Sequence, residues 1–250
     1  MNLQYFFTCK DSLPPGVGFD RFGPEHLITL AIGISVVIMI CLIYYRADQA
    51  ARRRMDKIFG FGFFAAYYIL YFGGKLILIG RLDPKEAPFH LCRIAGILCV
   101  MHSFRSYNWI EQVLYTMGLP GAVIALLFVD WNEHPAISYW TILTNIFHFG
   151  IILYIVLQLM SHKITPRLKY VWTVAVFIGI IIPPIYLYNK KFGTNFLFVN
   201  YPSPGSPLVL LEKKFGNPGY IIPYLIFVWV VILGMYLAGY LVSKYRSVKQ

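Results

Sequence analysis

Four polar side chains recur along one apolar stretch past the middle of the chain. Thr141, Thr144, Asn145 and His148 stand at offsets of three, four and seven residues, which places them on one face of an α-helix. A histidine on such a face is a candidate base in a water-accessible cavity, with Asn145 or Thr144 orienting its ring. The threonines and the asparagine are equally suited to hydrogen bonding between packed helices. We expect the face to point into the protein and His148 to be its reactive member.

A second candidate group surrounds Cys92 in the segment DPKEAPFHLCRIAG at 83–96. His90 and Arg93 flank the thiol, and positive neighbours favour the nucleophilic thiolate. The residues 83–86 are typical of a helix start, which predicts that Cys92 lies about 12 Å inside its helix. The alternative is an inert buried cysteine on a face of small residues that lets another helix approach closely.

Two more basic residues accompany these groups. His26 begins the first apolar run of the chain. Arg93 has no acid within one helical turn, so we expect it to snorkel to a lipid phosphate or to pair with Asp130 or Glu133. His26 and Arg93 are therefore candidate phosphate ligands. His134 lies in a polar connection, where we expect it to be solvated.

The elements that carry these residues are long apolar runs. The chain has 250 residues, of which 58% are hydrophobic and 13% charged, whereas soluble proteins have roughly 45–50% and ~25%. So few charges cannot cover a water-exposed surface or keep a chain disordered. We predict an all-α polytopic membrane protein, a seven-transmembrane helix bundle forming a single integral membrane domain over residues 1–250. The predicted spans are about 26–45, 58–80, 86–104, 109–129, 137–160, 169–188 and 218–242.

The distribution of charge predicts the orientation of these spans. With the N-terminus outside and the C-terminus cytoplasmic, the inner segments 46–57, 105–108, 161–169 and 243–250 hold 12 Lys and Arg against two Asp. The outer segments hold eight basic and eight acidic residues. This is the positive-inside pattern, so the net charge of +11 indicates membrane topology and contact with anionic lipids, not nucleic acid.

The outer loop 189–217 is the longest connection. Its phenylalanines, valines and leucines make it more apolar than a solvated linker. Loops of this length without secondary structure are more often functional or disordered than neutral, and the composition argues against disorder. We expect this loop to fold back over the outer end of the bundle as a lid or a re-entrant turn.

Several of these segments resemble one known family. Phe22-Gly23-Pro24-Glu25-His26-Leu27, Phe89-His90-Leu91-Cys92, a histidine in the middle of the fifth span, and the run 193–198 resemble the YwaF family of bacterial seven-span membrane proteins. That family is similar to a eukaryotic transmembrane acyltransferase that remodels ether phospholipids with a cysteine in its third span. The resemblance implies a bacterial cytoplasmic membrane location and Cys92 as the acyl-accepting nucleophile.

These observations together predict a membrane-embedded acyltransferase that acts on phospholipid or lysolipid and needs no metal or cofactor. Cys92 would attack a lipid ester while His148 acts as general base, the usual logic of Cys–His pairs. Asn195 would donate to the oxyanion. The expected substrate-binding residues are His26, His90, Arg93, Thr144 and Asn195.

Three other classes of protein stay open on the sequence. A transporter or channel would show inverted repeats or paired broken helices, and the only break is at Pro120. A metal-dependent hydrolase would use His26, His90, His148 and Cys92, a set that zinc accepts. A receptor or structural protein has no specific motif here.

Overall fold

The computed structural model describes residues 3–80, 82–203 and 206–248, and within them every regular element is a helix. The composition accounts for this outcome, because a backbone in lipid must satisfy its own hydrogen bonds and a helix does so within one segment. The α-helices are α1 Pro24–Arg46, α2 Gln49–Lys57, α3 Phe63–Ile79, α4 Leu91–Phe104, α5 Asn108–Val113, α6 Leu119–Leu127, α7 Tyr139–Met160, α8 Val171–Phe192, α9 Leu208–Phe215 and α10 Ile221–Val248.

Six helical stretches in the described residues are long and apolar enough to cross a membrane. They are Pro24–Arg46, Gln49–Ile79, Asn108–Leu127, Tyr139–Met160, Leu168–Phe192 and Ile221–Tyr245. Two of them contain a wider π-helical turn, Ile58–Gly62 between α2 and α3 and Leu114–Gly118 between α5 and α6. The all-α membrane architecture is therefore confirmed, whereas a seventh span and the orientation stay predictions.

The third predicted span is represented by the shorter helix α4. Its 14 residues extend about 21 Å at the α-helical rise, against roughly 30 Å of hydrocarbon. Asp83 does cap a helical element, since its carboxylate accepts a hydrogen bond from the Lys85 N–H at 2.8 Å. The element that it caps, however, is a single 3-10 turn, Pro84–Glu86.

The backbone then stays extended until α4 begins. Ala87 has φ −53° and ψ 142°, the region that a following proline imposes on the residue before it. Pro88 and the extended His90 delay the helix to Leu91. The prediction that Cys92 lies about 12 Å inside its helix is therefore wrong: Cys92 is the second residue of α4.

Contacts along the chain group it into two compact units. Unit 1 comprises residues 1–82 and 121–160, and unit 2 comprises residues 83–120 and 161–250. In unit 1, α1 and α7 approach closely at Gly33, where an added Cβ would overlap the Phe149 ring. Gly150 on α7 similarly accommodates the ring of Phe63. Small residues at such crossings are the usual means of packing apolar membrane helices.

In unit 2, long-range hydrogen bonds fix α5 and the π-helical turn after it. The Gln112 side chain donates to the Thr165 carbonyl at 3.1 Å and accepts from the Arg167 N–H at 3.1 Å. The Tyr115 hydroxyl donates to the Met235 carbonyl of α10 at 2.8 Å.

The loop 189–217, which the sequence predicts to be a lid, is partly helical, because α8 continues to Phe192 and α9 occupies Leu208–Phe215.

Candidate functional site

His148 is held in a defined orientation within unit 1. The Thr144 carbonyl lies 2.8 Å from its Nδ1, and a carbonyl only accepts, so Nδ1 carries the proton. In the neutral ring Nε2 then bears the lone pair, which is the form a general base requires. The ring stacks on Trp131 with centroids 5.0 Å apart and is 7% exposed.

The remaining members of the predicted α7 face are also turned inward. Thr141 and Asn145 are buried and Thr144 is half-buried, whereas Ile142 and Ile146 on the other side of the helix are exposed. The periodicity of the sequence therefore identifies the interior side of α7 correctly.

At the start of α7, Thr141 stabilises the first helical turn and the loop before it. Ser138 caps the helix by accepting the Thr141 N–H at 3.2 Å. The Thr141 hydroxyl donates to the Pro135 carbonyl at 2.9 Å. These bonds fasten the preceding loop to the first turn of α7.

His26 bridges two parts of unit 1 with both ring nitrogens. Its Nδ1 accepts the Phe22 N–H at 2.9 Å, so Nε2 carries the proton and donates to the Leu126 carbonyl at 2.8 Å. The residue is 2% exposed. This arrangement anchors the start of α1 to the end of α6, and a role for His26 in binding a lipid phosphate stays a prediction.

Cys92 stands at the N-terminal end of α4 in unit 2, half-buried beside His90. The partial positive charge of a helix N-terminus favours a thiolate at this position. Arg93 contacts an acid that the sequence analysis did not name, Glu86. Its guanidinium lies 3.8 Å from the Glu86 carboxylate and donates to the Glu86 carbonyl at 2.7 Å.

A buried asparagine organises the loop that follows α8. Asn189 is fully buried, accepts the Phe196 N–H at 2.9 Å and donates to the Phe196 carbonyl at 2.9 Å. Asn195 donates from Nδ2 to the Tyr201 carbonyl at 2.7 Å and accepts the Asn200 N–H at 3.2 Å. One proton of the Asn195 amide is thus used within the loop.

The same loop contains two residues with a strained backbone and contacts His90, the residue before α4. Leu197 and Phe198 have φ of 58° and 53°, which costs a non-glycine residue about 1–3 kcal/mol. The Tyr220 hydroxyl stabilises this conformation by donating to the Phe198 carbonyl at 2.6 Å. The rings of Phe196 and Phe198 lie 4.9 and 5.9 Å from the His90 ring. The half-buried His90 therefore contacts the loop in which the sequence places a lid.

The predicted site residues divide between the two units. His26, Thr144, Asn145 and His148 belong to unit 1, and His90, Cys92, Arg93 and Asn195 belong to unit 2. The pairing of Cys92 with His148 stays a prediction. No three His, Cys, Asp or Glu side chains in the described residues are grouped as a metal site requires. The metal-dependent alternative thus lacks a ligand set there.

The sequence analysis did not predict that His134, in the loop before α7, is buried. His134 is 8% exposed, so the expectation that it is solvated is wrong. Burial, together with the positive charges of Lys75 and Lys10, lowers the pKa of His134 to about 4. The only sequence feature that could have indicated this burial is the stretch DWNEHPAISYW at 130–140, in which two tryptophans and a histidine surround a helix start.

Long apolar helices with buried polar side chains define an α-helical integral membrane protein. A family model described as the TMEM164 family matches residues 21–237. The chain therefore belongs to the TMEM164 family, a family of transmembrane proteins. No match was found among curated proteins or among solved structures.

Proposed function

We propose that this protein is a membrane-embedded acyltransferase that acts on phospholipid or lysolipid through Cys92. The observation that carries the proposal is the position of Cys92, in the first turn of α4 and two residues from His90, whose ring contacts two aromatic rings of the loop. The helix N-terminus supplies a fixed positive potential for a thiolate. The resemblance described above names the same residue as the acyl acceptor.

The proposed reaction has two acyl-transfer steps. The general base takes the Cys92 thiol proton as the sulfur attacks the ester carbonyl of the donor lipid, the bond to the glycerol oxygen breaks, and the lysolipid leaves as an alcohol by taking that proton from the base. The hydroxyl of the acceptor lipid then attacks the thioester and gives its proton to the base, which passes it to the released thiolate. A covalent intermediate of this kind replaces one difficult transfer by two easier ones.

His148 is the proposed general base, with Nε2 as the proton-accepting atom. Its orientation comes from the main-chain carbonyl of Thr144, so the Thr144 side chain is not needed for that purpose. Asn195 is the proposed oxyanion donor, through the amide proton that does not point to Tyr201. The apolar loop would limit water, which favours transfer over hydrolysis.

The test is transfer activity of the full chain reconstituted with a fluorescent-acyl phospholipid and a lysophospholipid acceptor. We expect Cys92→Ala to abolish transfer and to lose the hydroxylamine-sensitive acyl label that forms with donor alone. Cys99→Ala is the matched control, because Cys99 is fully buried in the same helix, and it should retain activity. Cys92→Ser should retain little, since a hydroxyl needs a stronger base.

The role of His148 is tested in the same assay. His148→Ala should cost about as much as Cys92→Ala, and the double variant little more, because residues that act together are not additive. A Cys92→Ala protein with full transfer activity would refute the proposal. Activity that a chelator removes and zinc restores would favour the metal-dependent alternative instead.

A further inference from the structure

Three buried ring nitrogens around the start of α7 have no hydrogen-bond partner among the described residues. They are Nε1 of Trp131, Nδ1 of His134 and Nε1 of Trp140. Trp140 is 5% exposed and His134 is 8% exposed. Buried polar atoms are nearly always satisfied, so each exception calls for a physical explanation. An indole nitrogen only donates, so its missing partner has to be an acceptor.

Local hydrogen bonds tie the segment that carries these rings to the start of α7, at one corner of unit 1, while the Trp131 ring itself stacks on His148. The His134 N–H donates to the Trp131 carbonyl at 3.2 Å, which closes a turn carrying both rings. The Thr141 hydroxyl donates to the Pro135 carbonyl at 2.9 Å. That bond joins the turn to the beginning of α7, where Trp140 is located.

Lys75 adds a positive charge to this corner. Its Nζ lies 4.5 Å from the centroid of the Trp140 ring. The low pKa of His134, about 4, leaves its ring neutral at pH 7, so Nδ1 is able to donate in one of the two neutral tautomers. Glu133, an acid of the same loop, is engaged by Lys10 at 2.9 Å. The corner thus combines N–H donors with a cation.

We propose that this corner binds a phosphate group, carried either by a phospholipid headgroup or by a free phosphate ion. The α7 corner is defined as Lys75, His134 and Trp140, because the Lys75 charge acts on His134 and its Nζ lies against the Trp140 ring. Phosphate oxygens are strong acceptors that match indole and imidazole N–H donors, and the lysine charge complements them. Tryptophan suits a place where an apolar body meets a polar group.

His134 and Trp140 of the α7 corner each have a ring nitrogen with no hydrogen-bond partner among the described residues, whereas the phosphate ligands named from the sequence are already engaged. Arg93 is tied to Glu86, and both ring nitrogens of His26 are engaged. All three residues of the corner belong to unit 1, whereas Cys92 belongs to unit 2. Phosphate binding here is therefore a separate proposal from thioester chemistry at Cys92.

The test is binding to the full chain purified in a maltoside detergent that contains no phosphate. The probes are dioctanoyl phosphatidic acid, dioctanoylglycerol and inorganic phosphate, with thermal unfolding and tryptophan fluorescence as readouts. A ligand of the native state raises the Tm with concentration. We expect the phosphatidic acid to do so and dioctanoylglycerol not to. A matching response to inorganic phosphate identifies the free ion as sufficient, and a response to the lipid alone identifies the headgroup.

Two variants assign the binding to the α7 corner. Lys75→Met keeps the apolar stem and removes the charge, and Trp140→Phe keeps an aromatic ring and removes the donor. Each should weaken binding at least about tenfold, the loss expected when one hydrogen bond to a charged group is removed. Lys191→Met is the matched control, since Lys191 is exposed and lies 5.3 Å over the Phe192 ring in unit 2, and it should bind like wild type.

Cys92→Ala should bind the probes unchanged, which separates this proposal from the transfer activity. An equal Tm rise with dioctanoylglycerol would show that the acyl chains alone are recognised and would overturn the proposal. Unchanged affinity in both Lys75→Met and Trp140→Phe would overturn it as well.

Discussion

At the scale of single residues, the partners of a side chain decide what chemistry is left to it. His26 and His148 are both buried histidines of unit 1. The ring of His26 uses both nitrogens to join main-chain atoms of two segments. The His148 bond to the Thr144 carbonyl instead fixes which nitrogen is basic. Residue type alone does not distinguish the two.

His134 gives a prediction in pH. Its pKa is about 4 in the folded protein against 6.5 ordinarily, so the unfolded chain takes up a proton first as the pH falls. The stability that His134 contributes is present above about pH 6.5 and is lost as the pH falls towards 4. We expect the Tm of the wild type to fall more steeply over this window than that of His134→Gln, measured by thermal unfolding in detergent. His162→Gln, at an exposed position, should keep the wild-type slope, and equal slopes in all three proteins would contradict the prediction.

At the scale of elements, proline and glycine decide where helices start and how closely they pack. Pro88 and the residue before it hold the chain extended, and α4 begins only at Leu91. This start places Cys92 in the first turn rather than deep in a longer helix. Glycines at 33 and 150 let aromatic rings fill the space that a side chain would occupy.

The packing of α7 is tested by Gly150→Ala. An added Cβ would overlap the ring of Phe63, and forcing extra volume into a packed core costs about 1–3 kcal/mol. We expect a lower Tm in detergent for this variant. Gly179→Ala on α8 is the matched control, because no atom lies within 4 Å of its added Cβ, and alanine is the better helix former. A Gly150→Ala protein as stable as wild type would mean that the Phe63 ring moves aside freely.

At the scale of the whole molecule, the orientation in the membrane is predicted from the distribution of charge and not from the packing of helices. The described residues provide six apolar helices that are able to span a membrane. The excess of basic residues in 46–57, 105–108, 161–169 and 243–250 predicts that these segments are cytoplasmic. The N-terminus and the loop after α8 are then expected outside.

Cysteine labelling in intact cells tests this orientation. In a variant without native cysteines, Leu210→Cys should react with an impermeant maleimide, because residue 210 is 68% exposed and lies in the predicted outer loop. Ala50→Cys, exposed in the predicted inner segment 46–57, should react only after lysis. Neither substitution changes the charge on which the prediction depends. The reverse labelling pattern would invert the topology and place the loop inside.

The sequence by itself determined the properties that depend on neighbouring residues. Apolar runs of about 20 residues predict spans, and the offsets of Thr141, Asn145 and His148 correctly predict the buried side of α7. Both signals are local, because hydropathy and helical periodicity are set within a few turns of chain.

Only the tertiary structure decided which polar side chains already have hydrogen-bond or ring partners within the protein. The His26 ring meets the Leu126 carbonyl 100 residues along the chain, and Lys75 meets Trp140 from a different helix. Such contacts depend on how helices pack, which neither composition nor spacing specifies. The unpartnered ring nitrogens of His134 and Trp140, on which the proposed phosphate site rests, likewise became visible only in the tertiary structure.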